Sequence, residues 1–341
     1  MILPAPLHGS VGSPAWEALV EALQRARRVL LVSHVNPDAD TLGSALAIAL
    51  AFRADGRAAE VSFDAEPFAV PRALQFLPGA DTVLAPAQID PAVDLALAVD
   101  CSSPDRLGAL LGVAERSGVF AVLDHHASNA GFGDICVVQP GMSSTGELVA
   151  GLLDRLGMPL SAGVADNIYA AISSDTGSFR FGSTTADTHR LAARLQDAGV
   201  DHSPIAGNLF AGRPLPVARL AAETVAAAVH EPSAAGGAGA LIGTVSRADR
   251  QRLTIGYDDV ESLVSDLAAV GDVDVAVLAK QTDTGQWKVS MRSKGRLDVG
   301  QLAADHGGGG HLQAAGYTAE PPLEQVVAEL RRALDLPGYR C

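Results

Sequence analysis

Residues 28–40 read Arg-Val-Leu-Leu-Val-Ser-His-Val-Asn-Pro-Asp-Ala-Asp, and this run decides the architecture. Its first half, 28–33, is an unbroken apolar stretch of strand length. Its second half carries one imidazole and two carboxylates, and 41–54 then reads as a helix. A strand that is apolar on both faces and feeds a helix belongs in a parallel sheet covered on both sides. The pattern recurs. Strands are expected at 60–63, 94–99 and 118–123, and helices at 144–156, 161–173 and 186–198. Ser144-Thr-Gly-Glu147 fits a capping box opening the first of those helices, so Ser144 and Glu147 read as structural.

Further on, 214–230 is an Ala-rich amphipathic helix and 233–239 is a run of small residues, suited to a connector. A second, smaller α/β unit follows. Its strands are expected near 240–245, 274–281 and 286–292, the last two joined by a tight Asp283-Thr284-Gly285 turn, and its helices near 259–270, 298–305 and 322–335. The expected division is 1–205, a helical connector over 206–235, and 236–341.

Composition narrows the function. Across 341 residues, 48% are hydrophobic, which supplies a large core and excludes a disordered chain. The longest nearly uncharged run, 41–52, falls short of the roughly 20 residues a bilayer demands. Residues 1–15 lack a basic segment followed by an apolar one, and Cys101, Cys136 and Cys341 show no disulfide or zinc spacing. A reducing cytoplasm is the expected setting. Net charge is −14, against the coating of long nucleic acid through a basic surface. The charge is uneven: residues 1–235 hold 14 basic and 25 acidic side chains, while residues 236–341 hold 11 and 14. Lys280, Lys288, Arg292, Lys294 and Arg296 form a local basic strip, broken by one acid, Asp283.

Chemistry-bearing residues stand at successive strand ends. After 28–33 come His34, Asp38 and Asp40; after 94–99 comes Asp100; after 118–123 come Asp124, His125 and His126. The carboxyl edge of an open parallel sheet is its ligand crevice. Asp175 follows the 161–173 helix. A single Asp after a strand is ordinarily a helix cap, as Asp40 could be before Thr41. The coincidence of so many is different, because carboxylates gathered there repel one another and lose solvation. Divalent cations resolve that. Oxygen-rich ligation with a minority of imidazoles suits Mn2+ or Mg2+, and the donor count calls for two ions, a recurring device for hydrolysing phosphoesters through an activated water between them.

His34-x-Asn-Pro-Asp38-x-Asp40, Asp100-Cys-Ser-Ser-Pro-Asp105-Arg106-Leu-Gly108, Asp124-His125-His126 and Ser174-Asp175-Thr-Gly177 resemble the four motifs of the DHH phosphoesterases, in order. Ser290-Met-Arg292-Ser293 and Gly307-Gly-Gly-Gly310-His311-Leu-Gln-Ala-Ala-Gly316 resemble the DHHA1 domain. Layout and size are most similar to the NrnA-type group. The resemblance implies an N-terminal DHH domain, a C-terminal DHHA1 domain and an active site in the cleft between them. It implies one ion on His34, Asp38 and Asp100, and another on Asp40, Asp100, His125 and Asp175. His126 would face substrate phosphate while Asp124 orients its neighbours.

A run of glycines is ordinarily a linker, but a glycine loop with exposed amides also suits the approach of a phosphate. By likeness, Gly309, Gly310, His311, Arg292 and Ser293 would bind substrate, and Arg106 would either bind phosphate or pair with Asp105. Lys288, Lys294 and Arg296 read as a solvated face that steers the ligand. The implied activity is Mn2+-dependent hydrolysis of short oligoribonucleotides, linear pApA or cyclic di-AMP, and dephosphorylation of 3′-phosphoadenosine-5′-phosphate (pAp), with Mg2+ or Co2+ as alternative metals. A homodimer is implied by likeness alone. Rival readings are a RecJ-type single-strand exonuclease, a family II pyrophosphatase and a non-catalytic nucleotide sensor.

Overall fold

The computed structural model describes residues 7–9, 13–320 and 322–340. Cys341 and most of the N-terminal segment read above lie outside the described residues. The chain divides into two units, residues 1–212 and 213–341.

The first unit runs β1 (Leu7–Gly9), α1 (Pro14–Arg25), β2 (Arg28–Val32), α2 (Ala39–Ala54), β3 (Ala58–Ser62), β4 (Leu95–Val99), α3 (Leu111–Ala114), β5 (Val119–Asp124) and β6 (Ile135–Val138). Four helices follow: α4 (Thr145–Arg155), α5 (Ala162–Asp175), α6 (Ala186–Asp197) and α7 (His202–Phe210). The strands form one sheet in the order β1-β6-β5-β4-β2-β3, and every pairing is parallel. Alternation within the apolar runs explains their continuity. Val29 and Leu31 pack into the core that holds α2, α4 and α5, while Leu30 and Val32 pack on the opposite side with Ala96, Ala98 and Leu107. Helix α2 is buried almost all round, from Ala39 through Ala49, because it lies between the sheet and α5. That burial is why its sequence shows no polar stripe.

The second unit runs α8 (Leu215–Ala227), β7 (Val229–Glu231), α9 (Ala234–Gly237), β8 (Ala240–Val245), α10 (Arg247–Leu253), α11 (Val264–Ala268), β9 (Val275–Gln281) and β10 (Trp287–Ser293). It ends with α12 (Val299–Asp305), β11 (Gly309–His311), β12 (Ala314–Ala319) and α13 (Leu323–Asp335). Its sheet has the order β11-β12-β10-β9-β8-β7, and only β8 and β9 are parallel. Helices α12 and α13 cover one face; α8 and α11 cover the other on the β8–β9 side. Val217, Leu220 and Ala221 of α8 pack with Leu241, Val245 and Leu267, so this helix, expected within the connector, contributes to the second unit's core. The helix expected over 259–270 begins as a tight turn, Asp258–Leu263, before α11. Among the described residues no helix is long and apolar enough to cross a membrane.

Lys280, on the covered side of β9, is 1% exposed and its ammonium meets Glu261. Burial outweighs that carboxylate and lowers the lysine's pKa below its ordinary value. A lysine with a depressed folded pKa weakens the fold at any pH where it is charged, and the penalty fades as pH rises through the folded value. Lys280→Met is therefore expected to stabilise by about 1 kcal/mol near neutral pH, raising the calorimetric melting temperature. A lowered melting temperature would overturn this account.

Candidate active site

The carboxyl ends of β2, β4 and β5 place their residues together. Beyond β2, Asp38 caps α2: its Oδ1 accepts from the amides of Asp40 and Thr41, both at 3.0 Å. The cap is thus Asp38, and Asp40, suggested above for that role, sits in the first turn and is fully buried. Its carboxylate accepts instead from the amides of Thr145 (2.8 Å) and Gly146 (2.9 Å) at the start of α4. Those amides are among the donors a helix N-terminus leaves unsatisfied. Ser144 does cap α4, accepting from the Glu147 amide at 3.2 Å, but the Glu147 carboxylate reaches back to Ser143.

Asp100 follows β4 with φ of +62°, a left-handed conformation uncommon in residues other than glycine. This turn sets its carboxylate among three imidazoles. Oδ2 lies 3.5 Å from His34 Nε2, and Oδ1 lies 3.6 Å from His125 Nε2 and 3.5 Å from His126 Nδ1. Thr145 Oγ1 donates to the same Oδ1 at 2.9 Å. His125 Nε2 also stands 3.7 Å from Asp40 and 3.1 Å from Asp175. Two donor groups fall within the ligand sets the resemblance implies, His34 with Asp38 and Asp100, and Asp40 with His125 and Asp175, while a further group in this unit joins Asp100, Asp124 and His126; within each, the ligand atoms lie within 4.8 Å of one another.

The imidazoles are oriented from behind. His34 Nδ1 is 2.8 Å from the Val35 carbonyl and His125 Nδ1 is 3.2 Å from the Met142 carbonyl. A carbonyl only accepts, so each Nδ1 carries the hydrogen and each Nε2 is turned toward the carboxylates, the arrangement usual in histidine metal ligands. His126 is held differently. Its Nδ1 lies 2.7 Å from Asp124 Oδ1, and Asn129 Nδ2 donates to Asp124 Oδ2 at 2.8 Å.

Electrostatics show what this donor set demands. Burial, together with the charges of Asp100 and Asp175, drives the Asp40 carboxyl well above its ordinary range. Burial also raises Asp175, assisted by Asp100 and Asp38. Asp100 goes the other way. Burial opposes its ionisation, yet His126, His34 and His125 hold it below the carboxylate range. For His125 burial favours the neutral ring, but the hydrogen bond and charge of Asp175, with Asp40 and Asp100, push its pKa up to about 11. Four carboxylates and inward-facing imidazole nitrogens thus call for positive charge, and the oxygen-rich set fits hard divalent cations.

The expected substrate-binding residues are placed unevenly. Arg106 is half-buried in the turn after Asp100, where its carbonyl accepts from the Val35 amide at 2.8 Å; among the described residues no ion pair joins it to Asp105. Arg292 lies on β10, half-buried, its Nη1 donating to the Met291 carbonyl at 2.9 Å. Lys280 and Lys288 are direct partners across β9 and β10, so they share a sheet face, and Arg292, four residues after Lys288, shares it as well. Ser293 points into the other side. Its hydroxyl donates to Asp274 at 3.1 Å and accepts from the Gly295 amide at 3.0 Å, bracing the turn.

The basic strip is shorter than its sequence. Lys280 is buried, and Lys294 donates to the carbonyls of Val270 (2.6 Å) and Val273 (2.7 Å). The second half of the glycine run, expected as a loop, opens the edge strand β11 against β12. Gly308 and Gly310 are required by that packing, since a Cβ would stand 2.1 Å from the Gly316 carbonyl oxygen and 2.4 Å from that of Ala314, respectively. Gly309 has open space beside it, and His311 closes the strand.

Residues 28–172 match the DHH family, N-terminal domain, and residues 249–336 match the DHHA1 domain. A Thermus thermophilus protein named bifunctional oligoribonuclease and PAP phosphatase NrnA is 32% identical over 316 residues, 91% of either chain. The chain belongs to the DHH family. It is a DHH-family phosphoesterase, and the donor groups above are those that could hold its metal. A Bacillus subtilis protein of the same printed name is 24% identical, covering 92% of this chain and 96% of its own. An exopolyphosphatase-related protein from Bacteroides fragilis shares the fold, with a TM-score of 0.85 at 24% identity over 94% of this chain and 95% of that one.

Several contributors gave no sequence signal. Thr145 and Gly146 look like the interior of a capping motif, yet their amides and the Thr145 hydroxyl bind Asp40 and Asp100. Only the sheet order brings that helix start to the site. Asn129, which fixes Asp124, lies in an irregular segment with no periodicity to mark it.

Proposed function

We propose that this phosphoesterase is a two-metal, Mn2+-dependent hydrolase of short oligoribonucleotides and linear or cyclic dinucleotides, such as pApA and cyclic di-AMP, that also converts pAp to AMP. The observation that carries the reading is the convergence of His34, Asp38, Asp40, Asp100, His125 and Asp175 with their donor atoms turned toward one another. The names of the Thermus and Bacillus relatives supply the substrate class. One ion would take His34, Asp38 and Asp100; the other would take Asp40, Asp100, His125 and Asp175. Bound there, divalent cations supply Lewis acidity toward phosphoryl oxygens and activation of water.

The chain's own groups do the rest. Asp100 serves both donor groups from one fixed carboxylate. His126, held by Asp124, presents its ring to the phosphate. In the second unit, Arg292 grips a phosphate through its planar fork, with Gly309, Gly310 and His311 beside the ligand's backbone. Hydrolysis of pApA then consumes one water and releases two AMP.

The test is a panel of pAp, pApA, di- to pentanucleotides, cyclic di-AMP and pyrophosphate with Mn2+, Mg2+ and Co2+. Turnover of pApA and pAp, fastest with Mn2+, is expected. Cleavage of pyrophosphate alone, or tight nucleotide binding without turnover, would refute the reading. In the same assay Arg292→Ala should raise KM for pApA by roughly ten- to a hundredfold, the worth of a charge-assisted hydrogen bond, with kcat little changed. An unchanged KM would remove Arg292 from the binding surface.

A further inference from the structure

The turn after Asp175 holds Gly177, Ser178 and Phe179 at φ of +56°, +60° and +62°. Three left-handed residues in succession are rare, and two of these carry side chains, for which that region is unfavourable. The surroundings fix the turn from every side. The Ser178 amide donates to the Ser173 carbonyl at 2.7 Å and the Phe179 amide to Thr176 Oγ1 at 2.9 Å. The Thr176 carbonyl accepts from the amides of both Arg180 (2.9 Å) and Phe181 (3.0 Å). The Phe179 ring packs at 5.4 Å on His189 and 6.0 Å on Tyr169. Strain that is held so firmly beside a reactive centre points to a positioning purpose.

What the turn positions is an exposed pair of side chains. Phe181 is 49% exposed, and its ring tip abuts Gly177, where a Cβ would stand 2.4 Å from Cζ. Any side chain at 177 would push the ring away. Arg180 is exposed, its Nε donating to the Gly177 carbonyl; among the described residues no carboxylate pairs with its guanidinium. An unneutralised cation beside a half-exposed aromatic ring, anchored two residues (~7 Å of chain) from Asp175, is unusual in a unit so rich in acid.

We propose that Arg180 and Phe181 form a nucleoside-monophosphate subsite: Phe181 stacks on the base, and Arg180 pairs with a phosphate of the same nucleotide. This rests on the nucleotide-hydrolase reading above and adds how that site tells a nucleotide from a phosphoester without a base. Base stacking on an aromatic ring is tolerant of base identity, so the subsite selects for the presence of a base and not for its sequence.

Phe181→Ala and Phe181→Leu should raise KM for pApA at least tenfold with kcat within threefold, while Phe181→Trp stays within threefold of the parent in both. An analogue of pApA lacking one base should bind the parent as weakly as pApA binds Phe181→Ala, and should be indifferent to that substitution. Because Phe181 is half exposed, all three variants should melt near the parent. Calorimetric binding of AMP and of ribose 5-phosphate, with Mn2+ present, separates the two side chains. Phe181→Ala should weaken AMP alone at least tenfold; Arg180→Met should weaken both. Equal loss of AMP and ribose 5-phosphate in Phe181→Ala, or no loss of either, overturns the proposal. Absence of pApA turnover by the parent would instead refute the hydrolase reading, and the two binding measurements would still decide the subsite.

Discussion

Asp100→Asn is expected to reduce kcat/KM for Mn2+-stimulated pApA hydrolysis by about a thousandfold or more, equivalent to ~4 kcal/mol of transition-state stabilisation. Asp100 is the carboxylate that approaches His34, His125 and His126 together. An amide at this position keeps the shape but loses the charge, and turns an NH2 donor toward atoms that now face an acceptor. The fold should survive. Asparagine is among the residues best suited to the left-handed conformation found at Asp100, and its oxygen can still accept from Thr145 Oγ1. Asp124→Asn makes a useful contrast, because Asp124 holds the His126 ring by a 2.7 Å contact to Nδ1 and is not among the proposed metal ligands. Its loss should cost roughly ten- to a hundredfold, the usual effect of removing a partner that orients such a histidine. Steady-state rates with matched melting curves check both. Retention of a tenth of the parent rate by Asp100→Asn would remove the carboxylate from its shared role.

The first unit was legible wherever burial on both faces imposed unbroken apolar runs. The strands at β2, β4 and β5 lie within a residue or two of the stretches expected for them. Two strands that lie one position in from a sheet edge escaped. Strand β6 has four residues and follows a Gly-rich loop, and β12 reads Ala-Ala-Gly-Tyr-Thr-Ala, a segment whose β-character comes from pairing with β10. The glycine run looked like a loop because glycine carries no side-chain periodicity. Its strand form is set by close approach to β12, a tertiary demand that composition does not display.

The residues of the candidate site were legible for a related reason. In a parallel sheet the strand ends share one edge, so sequence order alone brings His34, Asp100 and His125 to a common place. What supports them was not legible. The amides of Thr145 and Gly146 approach Asp40 across a sequence separation of about a hundred residues, and Asp40 itself looked like the cap that Asp38 proves to be. Charge was misleading in the second unit as well. Lys280 and Lys294 contribute to the basic strip in sequence, but one is buried against Glu261 and the other satisfies backbone carbonyls after α11.

Chelation is expected to lower the melting temperature of the first unit by about 5–10 °C relative to the Mn2+-loaded protein. A ligand at a hundred times its dissociation constant stabilises by about 2.7 kcal/mol, and 1 kcal/mol corresponds to roughly 2–4 °C in a unit of this size. The physical reason is local. Asp38, Asp40, Asp100 and Asp175 are like charges gathered in one place, and the raised pKa values of Asp40 and Asp175 mean that their ionised forms weaken the folded state. For such a carboxyl the penalty is present above its folded pKa and relieved as pH falls through it. Asp175→Asn removes one of these charges without burying a new one. In EDTA it should therefore melt above the parent, while with Mn2+ it should gain only a fraction of the parent's shift. The crossing of the two effects separates a metal centre from an ordinary ion-pair network, in which Asp175→Asn would lose the contact to His125 and melt lower in either buffer. Equal melting of the parent in EDTA and in Mn2+ would leave the convergence of carboxylates without the cation that explains it.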